Sequence, residues 1–306
     1  NRATRCPEGS GMKPHIQTIG VRGIGMLKAV RFTSMAEMAS AADYINAAHV
    51  RHCTTVGVNW SHCSAARNGW SGAIDEARNG NESMGAQTAQ LLAQLPELLS
   101  VQQRWVNQPA GGVPDVARFC ANRPDAMRMR RPTMHQHSPL SVVVCVNSSA
   151  GCTDDSLALR GAALLAMVSS LSTIRPVILT TVTCWEYGSG GVGACVIDIG
   201  TSPLDLSIAG AALGSQRVIR GLMYGMGGYA IGQSVGTLPW PFAINPKEEE
   251  SVTKFETLMR HIVGLDEDEP AILIAGAHVR HPSVNNPVKW LADMMEKYGA
   301  REALAA

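Results

Sequence analysis

The chain has 306 residues, of which 45% are hydrophobic and 17% charged, a composition typical of a globular protein with one or two apolar cores. Its formal net charge of +1 conceals an asymmetry, because residues 1–140 contain 15 basic and 9 acidic residues, a net charge of +6, and residues 141–306 contain 11 and 16, a net charge of −5. All apolar runs are shorter than the roughly 20 residues of a membrane-spanning helix, and the eight cysteines form no CxxC pair. These features argue against a membrane protein and against a disulfide scaffold, and they predict a protein of the reducing cytoplasm.

Residues 1–25 precede the first recognisable element, and we predict a disordered or extension segment there. A helix is predicted over residues 32–49, because Ser34 and Glu37 match a capping box and the apolar residues repeat on one face. Further helices are predicted over residues 74–79 and 82–105, and a short helix with a basic tail over residues 113–132. Residues 26–139 are therefore expected to form a helical N-terminal region.

From residue 140 the sequence alternates strands with helices, and a domain boundary is predicted near Pro139. The run SVVVCV, residues 141–146, is typical of a strand buried on both faces, and an apolar helix follows over residues 155–173. The glycine-rich link EYGSGGVG predicts a hairpin that places one antiparallel strand at the edge of the sheet. The remaining strands are predicted at 177–185, 194–199 and 271–277, and the remaining helices at 204–224, 247–263 and 288–302. Residues 140–306 are thus predicted to be an α/β domain with a mainly parallel, Rossmann-like sheet covered by helices.

The order of these elements resembles the von Willebrand factor A-like fold over residues 140–300: a strand, a polar loop, a helix, a hairpin, a helix and a later buried strand. The segments GWSGAIDEARNG, VPDVARFCANRPDAM, LRGAALLAMVSSL and SPLDL also resemble, over residues 32–225, an uncharacterised domain family of tailed-bacteriophage and mobile-element genomes. That second resemblance implies a bacterial host cell and no particular biochemical activity. The A-like resemblance implies a protein partner, and a ring-forming ATPase of the MoxR type is the concrete expectation.

In metal-binding A-like domains, an Asp-x-Ser-x-Ser loop after the first strand holds Mg²⁺ together with a Thr and an Asp from two further loops. The corresponding loop here has Asn147 in place of the Asp, keeps a hydroxyl at Ser149 and has Gly151 in place of the second Ser. The strand that should deliver the third-loop Asp ends in AGAH, residues 275–278. The resemblance therefore implies a degenerate metal site at Asn147 and Ser149 and no resident cofactor, with Mg²⁺ as the disfavoured alternative.

The same loop is also a candidate contact surface, because it leads into the N-terminus of a helix. Its hydroxyls and backbone amides suit a partner or an anion, but it lacks the GxxxxGK[ST] pattern of nucleotide triphosphatases. The residues predicted to form this partner or ligand loop are Asn147, Ser148, Ser149, Gly151 and Thr153.

Two further clusters carry residue types suited to binding. Guanidinium groups suit phosphate contacts, and the densest basic patch predicts either a non-specific nucleic-acid surface or a solvated connection. That patch consists of Arg123, Arg128, Arg130 and Arg131. A second cluster has the thiols and imidazoles of a zinc site but matches no standard zinc-finger spacing, and it consists of His49, His52, Cys53, His62 and Cys63.

The sequence leads to three hypotheses of function. The first is a non-enzymatic protein-interaction module that works with a MoxR-type ring ATPase. The second is a nucleic-acid-associated phage protein that uses the basic patch, and the third is a metal-dependent enzyme with an atypical site at Asn147 and Ser149. A binding protein without membrane contact is favoured over an enzyme.

Overall fold

A computed structural model describes residues 15–21, 25–43, 69–93, 103–110, 112–132, 139–149, 151–173, 175–187, 191–231 and 249–304. The strands are β1 (His15–Val21), β2 (Gly25–Phe32), β3 (Gln103–Gln108), β4 (Val113–Pro114), β5 (Met127–Pro132), β6 (Leu140–Cys145), β7 (Val177–Tyr187), β8 (Gly191–Thr201) and β9 (Ala271–Ile274). The α-helices are α1 (Met35–Asp43), α2 (Gly69–Asn79), α3 (Glu82–Ala93), α4 (Val116–Cys120), α5 (Asp154–Leu171), α6 (Leu206–Gly214), α7 (Tyr224–Ile231), α8 (Glu249–Val263), α9 (Pro282–Asn285) and α10 (Pro287–Leu304). A π-helix, Arg217–Met223, leads directly into α7.

Six strands form the main sheet, in the order β1-β2-β8-β7-β6-β9. Three of the five neighbouring pairs are parallel, namely β2 with β8, β6 with β7 and β6 with β9. The other two pairs, β1 with β2 and β7 with β8, are antiparallel. The prediction of an α/β fold with a mainly parallel sheet and flanking helices is confirmed.

The hairpin of β7 and β8 was predicted correctly, but its place in the sheet was not. Strand β8 pairs with β7 on one side and with β2 on the other, so it lies inside the sheet and not at its edge. The prediction failed because the first predicted element begins at Phe32, which misses strand β2. Strand β1 also lies within residues 1–25, so the prediction of a disordered or extension segment is wrong for His15–Val21. In β2, Leu27 and Ala29 are buried on one face of the sheet and Val30 and Phe32 on the other.

Two apolar layers cover the sheet. On one face, α1, α2, α3, α5, α6, α7, α10 and the π-helix contribute to a large core that contains Val142 and Val144 of β6. On the other face, α8 packs Phe255, Met259 and Ile262 against a core that contains Val143 and Cys145. Strand β6 is therefore buried on both faces, as its unbroken apolar sequence predicted. The large core includes residues from both sides of the boundary predicted near Pro139.

The helices of the large core approach one another closely at glycines. A Cβ atom added to Gly161 of α5 would lie 2.8 Å from the Cα atom of Gly214 in α6 and 2.8 Å from the Cε atom of Met84 in α3. A separation under about 3 Å between such atoms is strongly repulsive, so these three helices can meet here only because position 161 has no side chain.

Residues 103–132 form a separate small sheet with the strand order β3-β5-β4, and helix α4 lies between β4 and β5. The prediction that one helix extends to Trp105 was wrong, because α3 ends at Ala93 and Trp105 lies in β3. The basic tail is strand β5, whose sequence MRMRRP begins with the period-two alternation of a strand. The N-terminal region thus contains strands as well as helices, which corrects the expectation of a helical region. Among the residues between 103 and 132 whose side chains the structure describes, none belongs to either apolar layer of the main sheet.

Among the described residues, no helix combines the length and the apolar character that crossing a bilayer would require.

Candidate functional site

The candidate site lies where β6 and β9 end side by side. An isolated bridge between Ser148 and Ala277 continues the parallel pairing beyond the two strands. The Ala277 N–H donates to the Asn147 carbonyl at 2.7 Å, and the Ser149 N–H donates to the Ala277 carbonyl at 2.8 Å. The predicted partner loop and the turn after β9 therefore meet at the carboxyl edge of the sheet, the edge at which open α/β folds bind their ligands.

The Asn147 side chain is buried and bridges β6 to β7. Its Nδ2 donates to the Cys184 carbonyl at 2.7 Å, and its Oδ1 accepts from the Cys184 N–H at 2.9 Å. An ionised aspartate could accept from the Cys184 N–H but could not donate to the Cys184 carbonyl. The Asn147 amide thus extends the pairing of β6 with β7.

The hydroxyl groups of the loop are bound to protein groups as well. Ser149 Oγ accepts from the Val279 N–H at 3.0 Å, which ties the loop to the turn after β9. Ser148 Oγ accepts from Arg220 Nη2 at 2.9 Å, and the Ser149 carbonyl accepts from the same nitrogen at 2.8 Å. The guanidinium of Arg220 therefore lies against the loop oxygens.

Arg220 lies on the π-helix, and Gln216 is the residue just before that helix. Both side chains contact the loop. The buried Gln216 side chain donates to the Cys152 carbonyl at 3.0 Å and accepts from Arg220 Nη1 at 3.4 Å. Local π-helical geometry is frequent at functional sites, and here it brings two polar side chains onto one loop. Sequence reasoning missed both residues, because they are about 70 positions away from the loop that they contact and belong to no motif.

The last two residues of the predicted partner loop surround the start of α5. Thr153 is the N-cap of α5, and its Oγ1 accepts from the Ser156 N–H at 3.2 Å. Gly151 is exposed and faces the side chain of Val279, which a Cβ atom at position 151 would approach to 3.4 Å. All five predicted loop residues therefore lie together, four of them in contacts that shape the loop.

A second arginine is buried behind the loop. Arg160 of α5 donates from Nε to Ser283 Oγ at 3.2 Å and from Nη2 to the Ala275 carbonyl at 2.8 Å. Burial lowers the pKa of Arg160 to about 10, so the guanidinium still carries its charge near neutral pH.

His281 completes the turn after β9. Its Nδ1 accepts from the Ser283 N–H at 3.1 Å and lies 2.7 Å from Ser283 Oγ, so the imidazole caps the N-terminus of α9. Burial lowers the pKa of His281, and the nearby charges of Arg160 and His278 lower it further. Because Nδ1 accepts the capping hydrogen bond, the arrangement requires the neutral imidazole.

At this edge of the sheet, hydrogen bonds join the loops into one cross-linked cluster. Asn147, Ser148 and Ser149 donate to or accept from neighbouring protein groups, and the Arg220 guanidinium contacts two of these residues. Within the part of the chain that the structure describes, no three His, Cys, Asp or Glu side chains are grouped so as to hold a metal ion. The cluster cross-links the loop after β6, the turn after β9 and the π-helix into one surface.

The structure places the predicted basic patch on the small sheet. Arg128 Nη2 lies 2.5 Å from Asp115 Oδ2, and Arg123 Nε lies 3.8 Å from Asp125 Oδ1. Asp115 is buried and caps α4, and its pKa is lowered chiefly because its carboxylate accepts a hydrogen bond from the Arg118 N–H, with further lowering by Arg128. The other two predicted arginines, Arg130 and Arg131, lie on β5.

The small sheet also exposes apolar side chains that the sequence did not single out. Phe119 is 69% exposed, Val116 is 70% exposed and Val113 is 56% exposed. Exposure cannot be read from a five-residue helix, because such a helix is too short to show a periodic pattern. The predicted zinc cluster of residues 49–63 lies outside the described residues and stays a prediction.

No curated protein and no solved structure matches the chain. A family model described as a domain of unknown function, DUF7192, matches residues 26–230. The match runs from β2 into α7 and includes the small sheet and the partner loop, and it confirms the uncharacterised domain family expected over residues 32–225. The chain therefore belongs to the DUF7192 family of domains of unknown function.

Proposed function

We propose that this protein is a non-enzymatic protein-interaction module of phage or mobile-element origin, with a von Willebrand factor A-like arrangement of β6 to β9. The sheet order β8-β7-β6-β9, in which only β8 is antiparallel to the others, supports the A-like resemblance. Strands β1 and β2 then extend the sheet on the far side of the hairpin. The proposed binding surface is the cross-linked loop cluster at the carboxyl edge.

The position of the Arg220 guanidinium is the observation that carries this proposal. It donates to Ser148 Oγ and to the Ser149 carbonyl, so its charge lies beside Ser149, one of the positions that the A-like resemblance assigns to a cation. A divalent cation held at Ser149 would lie next to a fixed positive charge and would be strongly repelled. The loop is therefore better suited to presenting a fixed shape to a partner than to holding a metal.

The surface around this cluster has the mixed character of a protein contact. Val279 is 37% exposed, and Gly151, Thr153 and Arg280 are exposed beside it. Since hydrogen bonds within the loop cluster already hold the shape of the loops, little conformational entropy would be lost when a partner binds. The partner that we propose, from the A-like resemblance, is a ring-forming ATPase of the MoxR type.

Co-purification of the full chain from its native host tests the proposal. We expect a ring ATPase to be recovered with the wild-type protein and lost with Val279→Glu, which places a charge on the surface. Val116→Glu makes the same change on the small sheet and should retain the ATPase. Thermal melting of both variants controls for folding. The proposal fails if the wild-type protein recovers no ATPase or if Val279→Glu recovers as much as Val116→Glu.

The alternative to a protein-interaction module is a metal-dependent enzyme. Stoichiometric Mg, Mn or Zn in protein purified without chelators would favour that alternative, since it would mean that the loop binds a cation despite Arg220.

A further inference from the structure

We propose that the small sheet of residues 103–132 binds single-stranded nucleic acid, with Phe119 stacking on a base and Arg123 and Arg128 contacting phosphates. This inference goes beyond the proposed function, because it concerns a different surface and does not depend on a protein partner.

The charge of the small sheet is the first observation. Residues 103–132 contain six arginines, two aspartates and no lysine or glutamate, a net charge of +4 in 30 residues. The whole chain has a net charge of only +1, so this segment is a local concentration of positive charge. Arginine is the cation that pairs with phosphate through two parallel hydrogen bonds and that also stacks on planar rings.

Asp115 and Asp125 form ion pairs with three of the arginines. Arg118 is ion-paired with Asp125 and lies 4.0 Å from Asp115, so it links the two carboxylates. Arg128 is held by Asp115, and Arg123 is held loosely by Asp125. The side chains of Arg123 and Arg128 nevertheless remain 62% and 49% exposed. Three guanidinium groups share two carboxylates, which fixes the arginine positions and leaves donors free for an anionic ligand.

Exposed apolar side chains lie on the same small sheet as these charges. Val116 and Phe119 are three residues apart on α4, so they share one face of the helix, and both are more than two thirds exposed. An isolated exposed apolar side chain needs no explanation, but a phenyl ring together with two valines beside a positive cluster has the composition of a binding surface.

The combination of a ring with guanidinium groups favours single-stranded nucleic acid over the other anionic partners. A single strand offers both an unpaired base face for the ring and phosphates for the arginines, and such stacking is tolerant of sequence. A duplex hides its base faces, and an acidic peptide would use the arginines but not the ring.

The test is fluorescence anisotropy with the full chain and labelled oligothymidine or oligouridine of about 20 nucleotides, a length that covers a typical site. We expect binding that weakens as the salt concentration rises from about 50 to about 200 mM, as counterion release requires. Phe119→Leu, which keeps an apolar side chain but removes the ring, should weaken binding about 5- to 150-fold, the range for loss of one base stack. Phe119→Tyr keeps the ring and should bind as the wild type does.

The arginines are tested by the salt dependence. Arg123→Gln removes one phosphate contact and should lower the slope of log affinity against log salt by about 0.7. Arg217→Gln removes the same charge from an exposed position on the π-helix and should leave the slope unchanged. Because these side chains are exposed, melting temperatures should match the wild type, which separates loss of binding from loss of folding.

Four results would overturn the inference. These are no binding at about 100 µM protein, the weak end of non-specific affinity, equal affinity of Phe119→Leu and wild type, tighter binding of a duplex of the same length, and equal competition by polyglutamate. None of them bears on whether the ATPase is recovered with the loop cluster, so this inference and the proposed function fail independently.

Discussion

The α/β body and the small sheet place their arginines in opposite environments. In the body, Arg160 is 1% exposed and donates to Ser283 and to the Ala275 carbonyl, so its hydrogen bonds hold two elements together. In the small sheet, Arg123 lies beside Asp125 and keeps most of its side chain in solvent. A buried guanidinium acts as a cross-link, whereas an exposed one near a carboxylate keeps donors for a ligand. The number of arginines in a segment cannot distinguish these two uses.

The two regions differ in the same way in their apolar residues. In the body, the apolar side chains of α5 are buried almost throughout, including Leu164, Leu165 and Met167. In the small sheet, the apolar side chains of α4 face solvent. We therefore expect substitutions in the body to change the free energy of unfolding, and substitutions on the small sheet to change binding.

The largest effect is expected from Arg160→Ala. It leaves Ser283 Oγ and the Ala275 carbonyl without their donor and creates a cavity, so the free energy of unfolding should fall by about 3–5 kcal/mol. Arg123→Ala removes the same side chain from the small sheet and should cost no more than about 0.5 kcal/mol. Urea denaturation of the two variants gives both values. Equal losses would contradict the distinction between the two kinds of arginine.

Asn147→Asp is the next largest change. At neutral pH it buries a carboxylate and removes the donor to the Cys184 carbonyl, which should cost about 2–4 kcal/mol. A protonated carboxyl both donates and accepts, and burial favours the neutral form, so the lost stability should return as the pH falls below neutral. Melting temperatures measured across the pH range give this profile.

The same variant also tests the metal alternative. Since Arg220 lies against the loop oxygens, Mg²⁺ should not stabilise Asn147→Asp. A clear rise in its melting temperature on adding Mg²⁺ would show that restoring the acid restores a cation site, and it would contradict the role assigned to Arg220.

Gly161→Ala tests the tight packing of the body. The added methyl group would meet Gly214 and Met84 at 2.8 Å, so helices α3, α5 and α6 must separate, at a cost of about 1–3 kcal/mol. Gly20→Ala in β1 is the matched control, because an added Cβ atom there meets nothing within 4 Å. We expect that control to be neutral or slightly stabilising in urea denaturation. A neutral result for Gly161→Ala would mean that the helices can separate at no cost.

The sequence predicted the elements whose environment is encoded locally. Residues 141–146 read as a strand buried on both faces, and the apolar run of residues 155–173 read as a helix, because the signals lie within the elements themselves. Strand β2 was overlooked although Leu27 and Val30 carry apolar signals, since Lys28 and Arg31 interrupt the run and its pairing partner β8 is over 160 residues away.

The candidate site was located but not understood from the sequence. The sequence indicated the loop from Asn147 to Thr153 and the absence of its acid, both of which are local facts. It could not indicate Arg220 or Arg160, because their roles arise only when distant segments meet at the sheet edge. The role of Asn147 was missed for the same reason, since its partner is the backbone of Cys184 in the next strand.

The smallest effect is expected from the titration of His281. The folded state lowers its pKa, so protonation favours the unfolded chain, and this part of the stability is lost as the pH falls through the ordinary histidine value of about 6.5. Asn is a good N-cap without a titratable group, so His281→Asn should keep the cap of α9 and show a shallower loss of melting temperature between about pH 7.5 and pH 5.5. A control variant, His261→Asn, changes an exposed histidine at the end of α8 and should keep the wild-type slope. If His281→Asn loses stability as steeply as the wild type, the turn after β9 does not depend on a neutral imidazole. A shallower profile for His281→Asn would mean that the wild-type loop cluster loosens in acid because His281, half-buried beside Arg160, takes up a proton.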